Sequence, residues 1–239
     1  MADPPFSLPE LLMAKPWTTI ATHPSDEGLL ELRVRDGRDF LIMVDGRVLM
    51  NSHANRSELA LGELACEHLS GVKAPRVLVG GLGMGYTLRA VLDKLPADAK
   101  VTVAELNPVI VKWCQEHIGH LTGDAVSDSR VKLYIGDVAE AIKAGAKEPY
   151  DAIVIDLYIG PDAGHDAEDD PLYGRGAIKN VARALTKRGR YAVWGEYLDP
   201  GFVKRLKGCG FVVETSRPGK GGLRHVVYLA TLKRAGGGA

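Results

Sequence analysis

Apolar and polar positions alternate along the early part of this chain, and the period changes part-way. Leu30, Leu32 and Val34 alternate with Glu31, Arg33 and Arg35, Asp36-Gly37 interrupts, and Phe40 to Val44 follows. Asp45-Gly46 interrupts again before Val48 to Met50. Two-residue Asp-Gly turns between apolar segments signal hairpins, because both turn positions need positive φ. A small antiparallel sheet is therefore expected between Trp17 and Met50, behind a proline-rich lead-in (Pro4, Pro5, Pro9, Pro16).

From residue 57 the period becomes helical, with Leu59, Leu61, Leu64, Ala65 and Leu69 predicting a helix over 57–70 that Gly71 closes. Short apolar runs then alternate with helical patterns. Strands are predicted at 77–80, 101–105, 131–135, 151–156, 190–195, 210–216 and 224–232. Helices are predicted at 86–95, 108–118, 138–145, 175–187 and 200–208. Asn107-Pro108 and Asp199-Pro200 place a capping residue before a proline, a helix-start signal. The pattern predicts an α/β fold: a doubly wound, mostly parallel seven-stranded sheet, its last strand antiparallel, behind a small N-terminal antiparallel sheet. The expected domains are 1–55 and 56–239.

Composition narrows the function. Thirty Lys+Arg balance thirty Asp+Glu in 239 residues, so no net field draws the chain to nucleic acid. No apolar run approaches the roughly 18 residues that span a bilayer, and the N-terminus lacks a basic, then apolar, leader. Cys66, Cys114 and Cys209 show no metal-ligand spacing, so neither zinc nor a disulfide framework is indicated. The expected setting is the cytoplasm, with no nucleic-acid or membrane partner and no metal; a homodimer stays open.

Candidate chemistry gathers around Arg76-Val-Leu-Val-Gly-Gly-Leu-Gly-Met-Gly-Tyr-Thr-Leu-Arg89. A strand running through a glycine turn into a helix lets backbone N–H groups approach a ligand. Glu105 ends the next predicted strand, where a carboxylate can accept from both hydroxyls of a ribose. Asp137 and Asp156 stand at or just past further strand ends on the same edge. On this reading Gly81, Gly83, Met84, Gly85, Glu105, Leu106, Asp137, Val138 and Asp156 bind a nucleoside cofactor, with Asp137 accepting from the adenine amine. Asp156 also faces the reacting end.

The turn Gly81-Leu-Gly-Met-Gly85, Val103-Ala-Glu105, Gly136-Asp137, Tyr150-Asp-Ala-Ile-Val-Ile-Asp156 and Gly160-Pro161 come in an order that resembles the spermidine synthase family. These are Rossmann-like, S-adenosylmethionine-type transferases. The small N-terminal sheet and the helix carrying Ser57-Glu58 and Glu63 fit the same pattern. The resemblance implies S-adenosylmethionine or its decarboxylated form as cofactor, a small-molecule amine as acceptor and Asp156 as the catalytic acceptor of the amine proton. Glu63, Tyr158, Trp194 and Glu196 are the expected acceptor-binding residues.

Several family acids are missing. Met84 stands where polyamine synthases place an Asp, Leu61-Gly62-Glu63 keeps only the Glu of its motif, and Asp156-Leu-Tyr-Ile-Gly-Pro161 lacks the second acid. Met50 replaces a glutamine. A buried diamine needs charge partners, so the losses favour methyl transfer from the intact cofactor over aminopropyl transfer. A dinucleotide oxidoreductase would need a small residue where Tyr86 stands, and a non-catalytic nucleoside-binding module would not need Asp156. The acidic stretch within 157–173 reads as a solvated loop or as a lid, and His225 as sheet structure rather than a base.

Overall fold

The computed structural model describes residues 15–161, 168–218 and 225–233. The chain divides into two compact units between Asn51 and Ser52, ahead of the boundary expected at 55. Residues 52–55 lead into the next helix instead of finishing the small sheet. The Tyr86 hydroxyl donates to the Ser52 carbonyl at 3.0 Å within the second unit.

The first unit is a four-stranded antiparallel meander of β1 (Thr18–Ser25), β2 (Gly28–Arg35), β3 (Asp39–Val44) and β4 (Arg47–Asn51). Both Asp-Gly turns adopt the expected geometry, with φ of 55° and 65° at Asp36-Gly37 and 44° and 77° at Asp45-Gly46. Leu30, Leu32, Phe40, Ile42 and Val44 are buried. Strand β1 has no such apolar face: it is an edge strand, mostly exposed, with Pro24 near its end.

The second unit carries a seven-stranded sheet in the order β10-β11-β9-β8-β5-β6-β7. Its strands are β5 (Arg76–Gly80), β6 (Lys100–Glu105), β7 (Val131–Ile135), β8 (Tyr150–Ile155), β9 (Leu185–Gly195), β10 (Phe211–Ser216) and β11 (Val226–Leu232). Neighbours from β7 through β5 to β9 pair in parallel, and β11 runs antiparallel to both β9 and β10. The central strands bury both faces, so Val77, Leu78, Val79, Ala152, Ile153 and Val154 are all fully enclosed.

The helices are α1 (Arg56–Cys66), α2 (Tyr86–Lys94), α3 (Pro108–Glu116), α4 (Val138–Gly145), α5 (Arg175–Ala184) and α6 (Pro200–Gly208). The helix predicted over 57–70 is α1 followed by a 3-10 turn at Glu67–Leu69. The helix predicted to 187 stops at Ala184, because Leu185 is extended and pairs with Tyr150. Register then jumps, Ala152 pairing with Arg190. Apolar Leu185 prolongs the helical period in sequence while belonging to the sheet. Two 3-10 turns, Gly119–Thr122 and Ala125–Ser127, fill the connection from α3 to β7. Helices α1 and α2 cross closely at Gly62, where a Cβ would lie 2.8 Å from the Thr87 carbonyl.

Candidate functional site

Strand order reverses at β5: the chain runs outward through β6 and β7, then returns to β8 on the other side. In an open parallel sheet this reversal leaves a crevice at the carboxyl ends of the strands. The glycine turn lies there, with φ of 87° at Gly81, 51° at Gly83 and 85° at Gly85, the residue preceding α2. A side chain at Gly81 is excluded, since its Cβ would stand 2.2 Å from the Asp156 carbonyl oxygen.

Glu105 is buried at the end of β6. Its Oε2 accepts from the Leu82 N–H at 2.9 Å and its Oε1 from the Asn107 N–H at 2.8 Å. One carboxylate thus ties the glycine turn to the neighbouring strand end. The next residue, Leu106, is 60% exposed, as is 48% of Ile135 at the end of β7. Asp137 is exposed and caps α4, accepting from the Ala139 N–H at 2.8 Å. Val138 is buried under the turn, where a Cβ on Gly80 would meet its Cγ2 at 2.5 Å. Met84 is also buried, 1% exposed, so the position at which the family resemblance expects an acid belongs to the core.

On the other side of β5, Asp156 follows β8 directly, its N–H donating to the Gly80 carbonyl at 2.8 Å. Its Oδ2 accepts from the Thr87 hydroxyl at 2.6 Å. The same hydroxyl lies 3.2 Å from the Glu58 carbonyl oxygen. The Glu58 side chain is buried and its Oε2 accepts from the Ser57 hydroxyl at 2.7 Å. Ser57 Oγ in turn lies 2.9 Å from His225 Nδ1, and the His225 ring stands edge-on to Trp194 at 4.8 Å. Asp156 keeps some exposed surface, yet the protein packed around its carboxyl group raises its pKa to about 7. Burial is the largest cause; the Thr87 hydrogen bond opposes it and the Glu58 charge adds to it. Among the described residues no lysine or arginine forms an ion pair with Glu58 or Asp156.

Of the residues expected at the acceptor, Tyr158, Trp194 and Glu196 come from two neighbouring segments. A Cβ on Gly160 would lie 2.7 Å from Gly195 Cα and 2.9 Å from the Trp194 carbonyl, so the stretch after Asp156 crosses the end of β9. Tyr158 is 39% exposed and Glu196 is exposed. The Trp194 indole N–H is buried with no hydrogen-bond partner among the described residues. Glu63 is not brought to this cluster. It is exposed on α1 and faces Lys94 at 3.7 Å, near the far end of α2. Ser57, Glu58 and Thr87 stand in the cluster without having been assigned a role from the sequence, and His225, expected within the sheet, precedes β11 and meets Ser57 instead. Ser57-Glu58 belongs to the motif pattern, whereas nothing local marks Thr87.

The acidic stretch is only partly described, and Asp162, His165 and Asp166 lie outside the described residues. Glu168 pairs with Arg175, and Asp170 Oδ1 accepts from the N–H groups of Leu172 and Tyr173, each at 2.7 Å. These two acids are occupied in shaping the entry to α5. The Tyr173 hydroxyl donates to the Ile159 carbonyl at 3.1 Å, and Arg205 on α6 donates to the Tyr173 carbonyl at 3.1 Å. Arg205 also pairs at 3.3 Å with Asp199, both groups buried.

Residues 63–196, more than half of the chain, match the spermine/spermidine synthase domain. The chain belongs to that family. A polyamine aminopropyltransferase of Clostridium tetani is 32% identical over 134 residues, 55% of this chain and 45% of its own. A putrescine N-methyltransferase of Nicotiana attenuata is 35% identical over 116 residues, 48% of this chain and 29% of its own. The matches thus span less than half of these relatives' length. Among solved structures, spermidine synthase from Thermotoga maritima superposes with a TM-score of 0.68 at 18% identity, covering 90% of this chain and 72% of that one. Human methyltransferase-like protein 13, in complex with SAH, gives 0.55 at 22% identity, over 77% and 82% of the two chains. At these identities the likeness is one of fold.

Proposed function

We propose that this protein is a transferase that takes its group from an adenosyl sulfonium, S-adenosylmethionine or its decarboxylated form, and passes it to a small amine. The observation that carries the proposal is Asp156, held by Thr87 beside the backbone of the glycine turn. A nucleoside fits the donor set of the other half-site. Three glycines at positive φ bare the backbone of the turn, whose Leu82 and Met84 side chains are buried, Glu105 is buried at the adjoining strand end, and Leu106 and Ile135 offer exposed apolar surface. Gly81, Gly83, Gly85, Glu105, Leu106 and Asp137 would hold the nucleoside, with Val138 and Met84 packed behind. When bound, the sulfonium supplies an electrophilic carbon with a neutral thioether as leaving group. The chain's task is then to orient the amine and accept its proton. Asp156 is suited to both. Its carboxyl group, raised to about 7 chiefly by burial, accepts a proton from an ammonium-like nitrogen near neutral pH. It is the ionised form that works as base, so kcat/KM should rise as pH passes upward through about 7.

Methyl transfer from the intact cofactor is the reading favoured here, because Met84 is buried and brings no carboxylate against the amino-acid end of the cofactor. Aminopropyl transfer is the second reading, supported by the similarity to polyamine aminopropyltransferases. Calorimetry with S-adenosylmethionine, its decarboxylated form, methylthioadenosine and NAD, followed by mass analysis of the putrescine product, separates the two. The expected result is binding of intact S-adenosylmethionine at least as tightly as the decarboxylated form, with a methylated amine as product. Spermidine formed from the decarboxylated form alone would establish the second reading, and binding of NAD alone would defeat both.

A further inference from the structure

Thr87 lies on the first turn of α2 and is 2% exposed. Its hydroxyl has two partners in reach, Asp156 Oδ2 at 2.6 Å and the Glu58 carbonyl at 3.2 Å. A hydroxyl owns one hydrogen and two lone pairs, so it cannot donate fully to both. With Asp156 ionised, the hydrogen belongs to Oδ2. With Asp156 protonated, the carboxylic O–H can donate to Thr87 Oγ1 while the threonine hydrogen turns to the Glu58 carbonyl. Rotation about one C–O bond therefore satisfies both protonation states, and neither leaves a buried polar group unpaired. The close crossing of α1 and α2 at Gly62 holds the carbonyl within reach.

We infer that Thr87 is a positioning residue that keeps Asp156 aimed at the acceptor and exchanges donor for acceptor when Asp156 takes up the amine proton. This rests on the reading of Asp156 as proton acceptor. In the step concerned, the amine nitrogen forms its bond to carbon while the C–S bond breaks with its electron pair going to sulfur. The surplus N–H proton passes to Asp156. The groups facing Asp156 are Glu58 from α1, Thr87 from α2 and Tyr173 ahead of α5, with His225 reaching Glu58 through Ser57. Among the described residues Thr87 is the one that donates a side-chain hydrogen bond to the carboxylate, and that bond lowers its pKa.

The test is a pH profile of kcat/KM for Thr87→Val, Thr87→Ala and Thr87→Ser, with cofactor affinity measured alongside. Removing the hydroxyl should move the acid limb upward by about one pH unit, a roughly fivefold loss at pH 7 that largely recovers by pH 9. Cofactor affinity should stay within about twofold, and Thr87→Ser should restore the wild-type profile. Thr87→Ala removes the hydroxyl without a second methyl and gives the same reading if the Val variant does not fold. A wild-type profile in the Val or Ala variant overturns the inference. So does a loss equal at all pH values that Ser does not rescue. Asp156→Asn separates the two levels of the argument. If it keeps wild-type turnover, the proton-acceptor reading fails and Thr87 with it. If it is inactive while Thr87→Val is unaffected, Thr87 alone is misread.

Discussion

The two acids flanking β5 are held by different means. Glu105 takes two main-chain N–H groups, one from the glycine turn and one from its own strand end. Asp156 takes one side-chain hydroxyl, and a second buried carboxylate, Glu58, stands close enough to raise its pKa. Main-chain donors are fixed by the fold and cannot rotate away, so the Glu105 carboxylate is held rigidly, as the proposed ribose contact would need. The Asp156 side combines two carboxylates without a lysine or arginine partner among the described residues. On the proposed reading that side would take a cationic guest and a proton that can move.

Substitutions on either side should therefore fail differently. The largest effect is expected from Asp156→Asn, which keeps the shape and removes the base. Turnover should fall by ~10²–10⁴ while calorimetry finds cofactor affinity unchanged. Loss of cofactor binding as well would mean that the two half-sites are not separable. Glu105→Ala should act the other way, weakening adenosyl ligands by about 2–4 kcal/mol and lowering Tm, because the turn loses its anchor to β6. Unchanged affinity in a folded variant would remove Glu105 from the nucleoside side. The smallest effect belongs to Glu63→Ala. This exposed residue, paired with Lys94, should change stability by no more than about 0.5 kcal/mol and leave the KM for the amine where it was. A raised KM would place the acceptor where the described structure does not.

The same contrast governs what could be read from sequence. The glycine turn, the Asp-Gly hairpins, the proline-marked starts of α3 and α6 and the strand-end positions of Glu105 and Asp156 are local facts of spacing and backbone geometry. Each is written within a few residues. The Asp156 side is assembled from distant segments: Thr87 lies 69 residues from Asp156, and Ser57 lies 168 from His225. No period or motif encodes such contacts. Glu63, the glutamate on α1 expected at the acceptor, stands roughly 140° round the helix from buried Glu58 and faces Lys94. Gly62 has a packing reason that is visible only once α2 lies against it. Strand β1 escaped notice for a simpler reason: it buries neither face, so it carries no alternation to read.

The bond from the Tyr173 hydroxyl to the Ile159 carbonyl closes the chain between them into a loop with a pinned neck, and Arg205 moors Tyr173 from α6. Asp156 therefore lies between two anchored points, the Gly80 carbonyl that takes its N–H and the Ile159 carbonyl three residues on.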